Sequence, residues 1–275
     1  MSLFAQSTDK FEVASVKSIA ADSAQRPPRI DRQSFALTGT TFALIADAYG
    51  MRPCLRKESS SCALITGEPA WTKKDRFEIQ ATLPPNFPAF TRFQFADGEA
   101  PQLDRMLQVL LKDRFKLVVH RETRGIRVYA LTAVKRGSKL RAVAEPENRT
   151  TADGTSFKIH GLDEIESVKS ENGALISRLG FRYSSMQELA GTFTSFLDRP
   201  VLDRTGLGGK FDFALEYENA PDAPTTSDQS NFGRMINAGP SFFTALQEQL
   251  GLKLDATRSP VEILVIDHVE RPSAN

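Results

Sequence analysis

Histidine is scarce in this chain, and the scarcity limits its chemistry. The three that occur, His120, His160 and His268, lie far apart without ligand spacing, so structural or surface roles are favoured over a metal centre. No Gly-x-Ser-x-Gly motif occurs, which removes the strained turn on which an α/β-hydrolase presents its nucleophile. Gly206-Leu-Gly-Gly209 lacks phosphate-loop spacing and precedes a strand where such a loop would open a helix, so it reads as a turn. Excess charge of either sign is missing too. Lys+Arg 35 against Asp+Glu 34 leaves a formal +1, without the basic footprint of a nucleic-acid binder. The basic clusters at 121–127 and 135–141 read as solvated strand edges and turns. No run approaches the roughly 20 apolar residues of a helical membrane span, and none is expected. Carboxylates are plentiful, yet spacing singles out no pair for glycosidase work. Neither a cofactor nor a metal is expected.

Cysteine is almost as rare. Cys54 and Cys62 share a polar loop with Ser59-Ser60-Ser61, and there is no Cys-x-x-Cys spacing or neighbouring pair of histidines to make a zinc site. A local disulfide is the preferred reading, with two free thiols as the alternative. Closing so short a loop would stabilise by roughly 2–3 kcal/mol on the chain-entropy model, and a disulfide would place the protein in an oxidising compartment. Leu3-Phe4-Ala5 in the first ten residues reads as the stub of a signal peptide or a disordered N-terminus.

What is present is hydrophobic periodicity, 40% apolar residues against 25% charged, and it sorts into an α+β chain. Residues 11–17 form a first strand in which Phe11, Val13 and Ser15 point one way, and residues 34–37 form a second that leads into Thr40-Thr41, an N-cap. Phe42, Ile45 and Tyr49 then make one helical stripe, ended by Gly50. Residues 76–81 alternate as a strand. Leu103, Met106, Leu107, Leu110 and Leu111 fall at i, i+3, i+4, i+7 and i+8, the clearest helix in the chain. Phe115, Leu117 and Val119 alternate, 122–125 supplies a turn, and Ile126 and Val128 alternate again, which predicts a hairpin packed on that helix. Later, Ser185-Met-Gln-Glu188 has capping-box spacing before the apolar face Met186, Leu189, Ala190, Phe193 and Leu197. A strand at 210–215, a helix marked by Phe243, Leu246 and Leu250, and a hairpin turning at 258–260 complete the chain.

Side by side, these segments repeat. Leu107-Gln108 with Leu111 matches Leu246-Gln247 with Leu250, Phe115 and Leu117 match Leu252 and Leu254, and Phe77 and Ile79 answer Phe211 and Phe213. The expected architecture is α+β in two pseudo-repeated halves, each with short helices packed on antiparallel strands and hairpins. The halves span 11–141 and 177–275, joined by a polar linker at 142–176. A long polar loop at 218–239 is expected to be flexible or functional.

Phe11-Glu-Val-Ala-Ser-Val-Lys17, Ala48-Tyr-Gly50, Leu110-Leu-Lys-Asp-Arg-Phe-Lys-Leu117, Arg199-Pro-Val-Leu-Asp-Arg-Thr-Gly-Leu207 and Thr244-Ala-Leu-Gln-Glu-Gln-Leu-Gly-Leu252 resemble the Solibacter-type (acidobacterial) family of uncharacterised exported proteins. His120-Arg-Glu-Thr-Arg124 and the segment 260–272 fit it as well, so the resemblance covers nearly the whole chain. It implies a signal sequence and a secreted or periplasmic location. Some relatives carry this module beside a membrane metallopeptidase of the antibiotic-sensor type, which implies sensing or binding. The family supplies no catalytic residues, and the loop between Arg52 and Ala63 looks like a local insertion. At fold level the repeated units are also similar to the small envelope domains of secretins and TonB-dependent receptors, an analogy that carries no function.

Asp267-His268 with Ser273 or Ser241 could be drawn as a hydrolase triad, but adjacent side chains on a strand point to opposite faces. Trp71, the only tryptophan, either stacks on a sugar or aromatic ligand or fills a gap between helix and sheet. Trp71, Tyr49, Asp203 and Arg204 are the candidate ligand contacts, although Asp203 and Arg204 beside the Gly206 turn also suit local capping. The leading expectation is a secreted or periplasmic binding or sensor module for a small molecule, glycan or envelope protein, and an enzyme is disfavoured. The alternatives are an envelope hydrolase with its site between the halves and a structural protein-interaction module.

Overall fold

A computed structural model describes residues 9–23, 26–51, 63–96, 98–150, 156–169, 175–219 and 240–272. The chain is α+β and divides into two compact units, Met1–Arg124 with Pro260–Asn275, and Gly125–Ser259. Cys54 and Cys62, the first eight residues and nearly all of the 218–239 loop lie outside the described residues.

In the first unit, β1 (Val13–Ile19), β2 (Arg29–Ile30) and β3 (Ser34–Thr40) precede α1 (Thr41–Ala48), β4 (Ile65–Thr66) and β5 (Arg76–Thr82). A sheet forms in the order β1-β5-β3-β2, with Val16 opposite Ile79 and Leu37 opposite Ile79 across antiparallel ladders. Thr40 caps α1 as its sequence predicts, its hydroxyl accepting from the Ala43 amide at 3.2 Å. After α2 (Arg92–Ala96), α3 (Pro101–Phe115) opens on a proline at its first position and ends at Lys116 in the left-handed conformation. Its stripe of Leu103, Met106, Leu107, Leu110 and Leu111 is buried in one cluster with Phe35, Leu37, Phe77 and Ile79.

The hairpin expected after α3 is replaced by a single strand. β6 (Val118–Ala133) runs 16 residues without a turn at 122–125. Gly125 takes no left-handed φ, and Glu122 and Arg124, two apart on one face of extended chain, pair with each other. The polar stretch 142–176, expected as a linker, carries strands: β7 (Arg141–Val143), β8 (Asn148–Thr150), β9 (Ser156–Lys158), β10 (Gly161–Lys169) and the start of β11 (Leu175–Ser184). Its apolar residues are too few to announce them, because β10 is an edge strand that leaves Ile165 and Val168 exposed.

In the second unit the sheet order is β10-β11-β13-β7. α4 (Met186–Phe196) begins with the complete capping box, Glu188 N–H to Ser185 Oγ at 3.2 Å and Ser185 N–H to Glu188 Oε2 at 2.7 Å. β12 (Val201–Asp203), β13 (Lys210–Asn219) and α5 (Phe242–Ala245) follow, and a π-helical turn, Leu246–Leu250, leads into β14 (Leu252–His268). Phe193 sits at the centre of this core, edge-on to both Phe181 and Phe242. Thr194 ties the end of α4 to β12: its hydroxyl donates to the Ala190 carbonyl and accepts from the Val201 amide, both at 2.8 Å.

β14 is the second departure from a hairpin, 17 residues without the turn expected at 258–260. It neighbours β6 in the order β12-β6-β14-β4. Within the first unit His120 bonds to Asp267, and within the second Thr132 donates to Asp255. Each long strand thus meets the other, about 130 residues away in sequence, and has no need to fold back on itself. The unit boundaries fall inside these strands, at 124/125 and 259/260, whereas the sequence placed them at the polar stretch.

Candidate functional site

Strand alternation on β5 buries Phe77, Ile79 and Ala81, which turns Gln80 and Thr82 outward. Register aligns Ser15 with Gln80 and Gln80 with Ala36, and it aligns Val13 with Thr82 and Thr82 with Ser34. Arg29 of β2 stands opposite Ala36 at the rim. A cavity of about 320 Å³ lies on this face, lined by Val13, Ser15, Arg29, Ser34, Gln80 and Thr82, with Phe35, Ala36 and Ala81 completing it. The hydroxyls of Ser15 and Thr82, the Gln80 carboxamide and the Arg29 guanidinium face it, while the Ser34 hydroxyl donates to Asp31 Oδ2 at 3.0 Å. The lining has no histidine, cysteine or carboxylate, hence no side chain that exchanges a proton near neutral pH.

None of the residues singled out from sequence lines this cavity. Trp71 lies half-buried on a 3₁₀ turn, Ala70–Lys73, and packs against the first unit's core. The Arg271 guanidinium lies over its ring, 4.8 Å from the centroid, and donates through Nε to Asp75 Oδ2 at 2.6 Å. Tyr49 follows α1 and also packs on this core, its carbonyl accepting from Arg121 Nη2 at 3.3 Å. Burial pushes its phenol up, an effect the Arg121 charge only partly offsets.

Asp203 and Arg204 belong to the second unit. Asp203 Oδ1 accepts from the Thr205 amide at 2.9 Å and the Thr205 hydroxyl at 2.7 Å, closing the turn after β12. The Arg204 amide donates to the Leu131 carbonyl, and its side chain is exposed. The cavity residues escaped the sequence reading because each is an ordinary polar residue on the outward side of an alternating strand. Alternation was the one signal for Ser34, Gln80 and Thr82, which occupy the phase opposite to the core residues, but on β1 it misled: Phe11, Val13 and Ser15 share one phase in the sequence, whereas the structure buries Val16 and leaves Val13 68% exposed on the cavity face.

His120 and His268 are each held by carboxylates of their own. Asp267 is hydrogen-bonded to His120 at 2.8 Å, while the adjacent His268 is bonded to Glu270 at 2.8 Å, so neighbours on β14 do face opposite ways. Ser241 caps α5, its hydroxyl accepting from the Thr244 amide, and Ser273 lies outside the described residues. The Asp267 hydrogen bond lifts the His120 imidazole above its ordinary value, and the charges of Asp267 and Glu122 add to it. With the folded-state pKa raised, the pair's contribution to stability is complete below about pH 6.5 and is lost as pH rises through the folded value. Replacing Asp267 with Asn should return His120 toward an ordinary titration, read by NMR of the imidazole protons. An unmoved midpoint would show that Asp267 does not hold the ring.

A model of a protein family of unknown function, DUF3738, matches residues 43–269. The chain belongs to that family. No curated protein and no solved structure matches it. In this DUF3738 member the matched segment begins inside α1 and ends just after β14, so it takes in both long strands and β5 of the cavity and leaves β1, β2 and β3 outside.

Proposed function

We propose that this DUF3738 protein is an exported binding module that holds a small polar ligand on the outer face of its first sheet. The observation that carries the reading is the cavity of about 320 Å³ itself, which is within the size range of small-molecule sites. Its hydroxyls and carboxamide match a polyhydroxylated ligand such as a glycan fragment, and Arg29 offers a partner for an acidic substituent.

The test is thermal unfolding of the full chain with neutral sugars, uronic acids, peptides and cell-wall fragments. A true ligand at about a hundred times its Kd stabilises by about 2.7 kcal/mol. Arg29→Ala and Gln80→Ala, which remove outward-facing groups, should abolish the shift while leaving the unliganded melting temperature nearly unchanged. A shift that survives both substitutions, or none with any ligand class, overturns the proposal. Export rests on the family resemblance, and fractionation of the producing cells decides it: protein retained in the cytoplasm rules it out.

The two units are read as copies of one module. The chain order β3-α1-β4-β5-α2-α3-β6 parallels the later order β11-α4-β12-β13-α5-β14, with α2 the one extra helix of the first stretch. The short strand after each first helix joins a long strand in parallel, β4 along β14 and β12 along β6. An experimental structure in which these two sets fail to superpose would refute the duplication.

A further inference from the structure

One row of side chains crosses the first sheet at right angles to its strands. Register puts Ser15 of β1 opposite Gln80 of β5, Gln80 opposite Ala36 of β3, and Ala36 opposite Arg29 of β2. Residues directly opposite on antiparallel neighbours share a face, and all four line the cavity. At the usual strand spacing the row spans roughly 14 Å from β1 to β2, and the strands of Gln80 and Arg29 lie roughly 10 Å apart with Ala36 between them. Ala36 ends at Cβ, so the floor stays low between two long neighbours. Substituting a larger side chain there would fill the space that Gln80 and Arg29 flank.

The row has one charged end. Among the described residues, Arg29 is the only charged one in the lining, and no carboxylate pairs with its guanidinium. Asp31, two residues on, accepts the Ser34 hydroxyl. Lys17, one row further along β1, stands opposite a carboxylate, Glu78, and does not line the cavity. A guanidinium edge with no partner matches two oxygens of a carboxylate or phosphate. At the other end the Gln80 carboxamide and the Ser15 hydroxyl both donate and accept, which suits ligand hydroxyls. The geometry points to an anionic, hydroxyl-bearing ligand of the sugar-acid class that lies across the strands, its acid group at Arg29, its hydroxyls over Gln80 and Ser15, and Ala36 admitting it by its small size. This inference rests on the binding reading above and adds to it the charge and the direction of the ligand: the acid group is required, and Arg29 is the residue that selects it.

The test is calorimetric titration of the full chain with glucuronate, digalacturonate and N-acetylmuramate, each beside its methyl ester, and with glucose 6-phosphate beside glucose. At low ionic strength at least one anion should bind about tenfold more tightly than its neutral counterpart, and the advantage should shrink in about 1 M sodium chloride, where charges more than roughly 3 Å apart are screened. Arg29→Gln should bring that anion and its counterpart to one Kd. Ala36→Leu, an outward-facing change, should remove binding of both forms, with circular dichroism checking that the variant is folded. Equal affinity for the two forms in the parent chain, or a preference that survives Arg29→Gln, overturns this inference and leaves the binding reading standing. No binding by any pair, or binding that survives Ala36→Leu, overturns both.

Discussion

Phe115→Ala is expected to destabilise the first unit by about 3–5 kcal/mol, a large part of the 5–15 kcal/mol typical of a folded domain. Phe115 is the last residue of α3 and is fully buried. Its ring meets Phe77 edge-on with centroids 5.2 Å apart, so truncation removes a large apolar surface and leaves a cavity between helix and sheet. Its carbonyl accepts from the Glu270 amide at 2.7 Å, and loosening the end of α3 also disturbs the segment that follows β14. The matched control is Val118→Ala, three residues on, where the side chain is 52% exposed and the change should stay within about 0.5 kcal/mol. Urea unfolding of the two variants decides the point: equal costs would mean that α3 does not anchor this core.

Gly67→Ala should cost about 2–5 kcal/mol, the sum of a left-handed backbone penalty and a steric one. Gly67 follows β4 with φ of +83°, and a Cβ there would collide with the backbone carbonyl of Ile266 in β14. Backbone cannot step aside as a flexible side chain can, because Leu264 and Val265 are paired to Ile65 and Thr66. Gly125→Ala makes the contrast. That glycine lies inside β6 without a left-handed φ, and a Cβ would meet nothing within 4 Å, so the change should be neutral or stabilising by up to about 1 kcal/mol. If unfolding shows the two alanines to be equivalent, β4 is not held as closely to β14 as this geometry requires.

Local chemistry was legible in the sequence wherever it acts over a few residues. The stripe on α3, the cap at Thr40 and the reciprocal cap of Ser185 and Glu188 are all found where spacing predicts them, because each depends on contacts three to five residues apart. The turns expected at 122–125 and 258–260 are absent because polar and glycine-containing stretches permit a turn without forcing one. Pairing between β6 and β14 offers the same backbone hydrogen bonds in extended form. The strands between 141 and 169 were hidden for a related reason: edge strands bury little, so their sequences carry little alternation.

The candidate site divides in the same way. Trp71 and Asp203 were conspicuous by residue type and position, and both prove to be engaged by close neighbours in the chain or fold, Arg271 for one and Thr205 for the other. The cavity draws on β1, β2, β3 and β5, segments that only sheet register brings side by side. By itself the sequence determined the α+β class, the helices α1, α3 and α4 with the caps of α1 and α4, and the inward phase of β3 and β5, since these follow from local propensity and the side-chain periods of 2 and 3.6. The tertiary structure alone decided which strands became neighbours, and hence where polar groups converge, because pairing between distant segments is settled by the whole core and not by either segment.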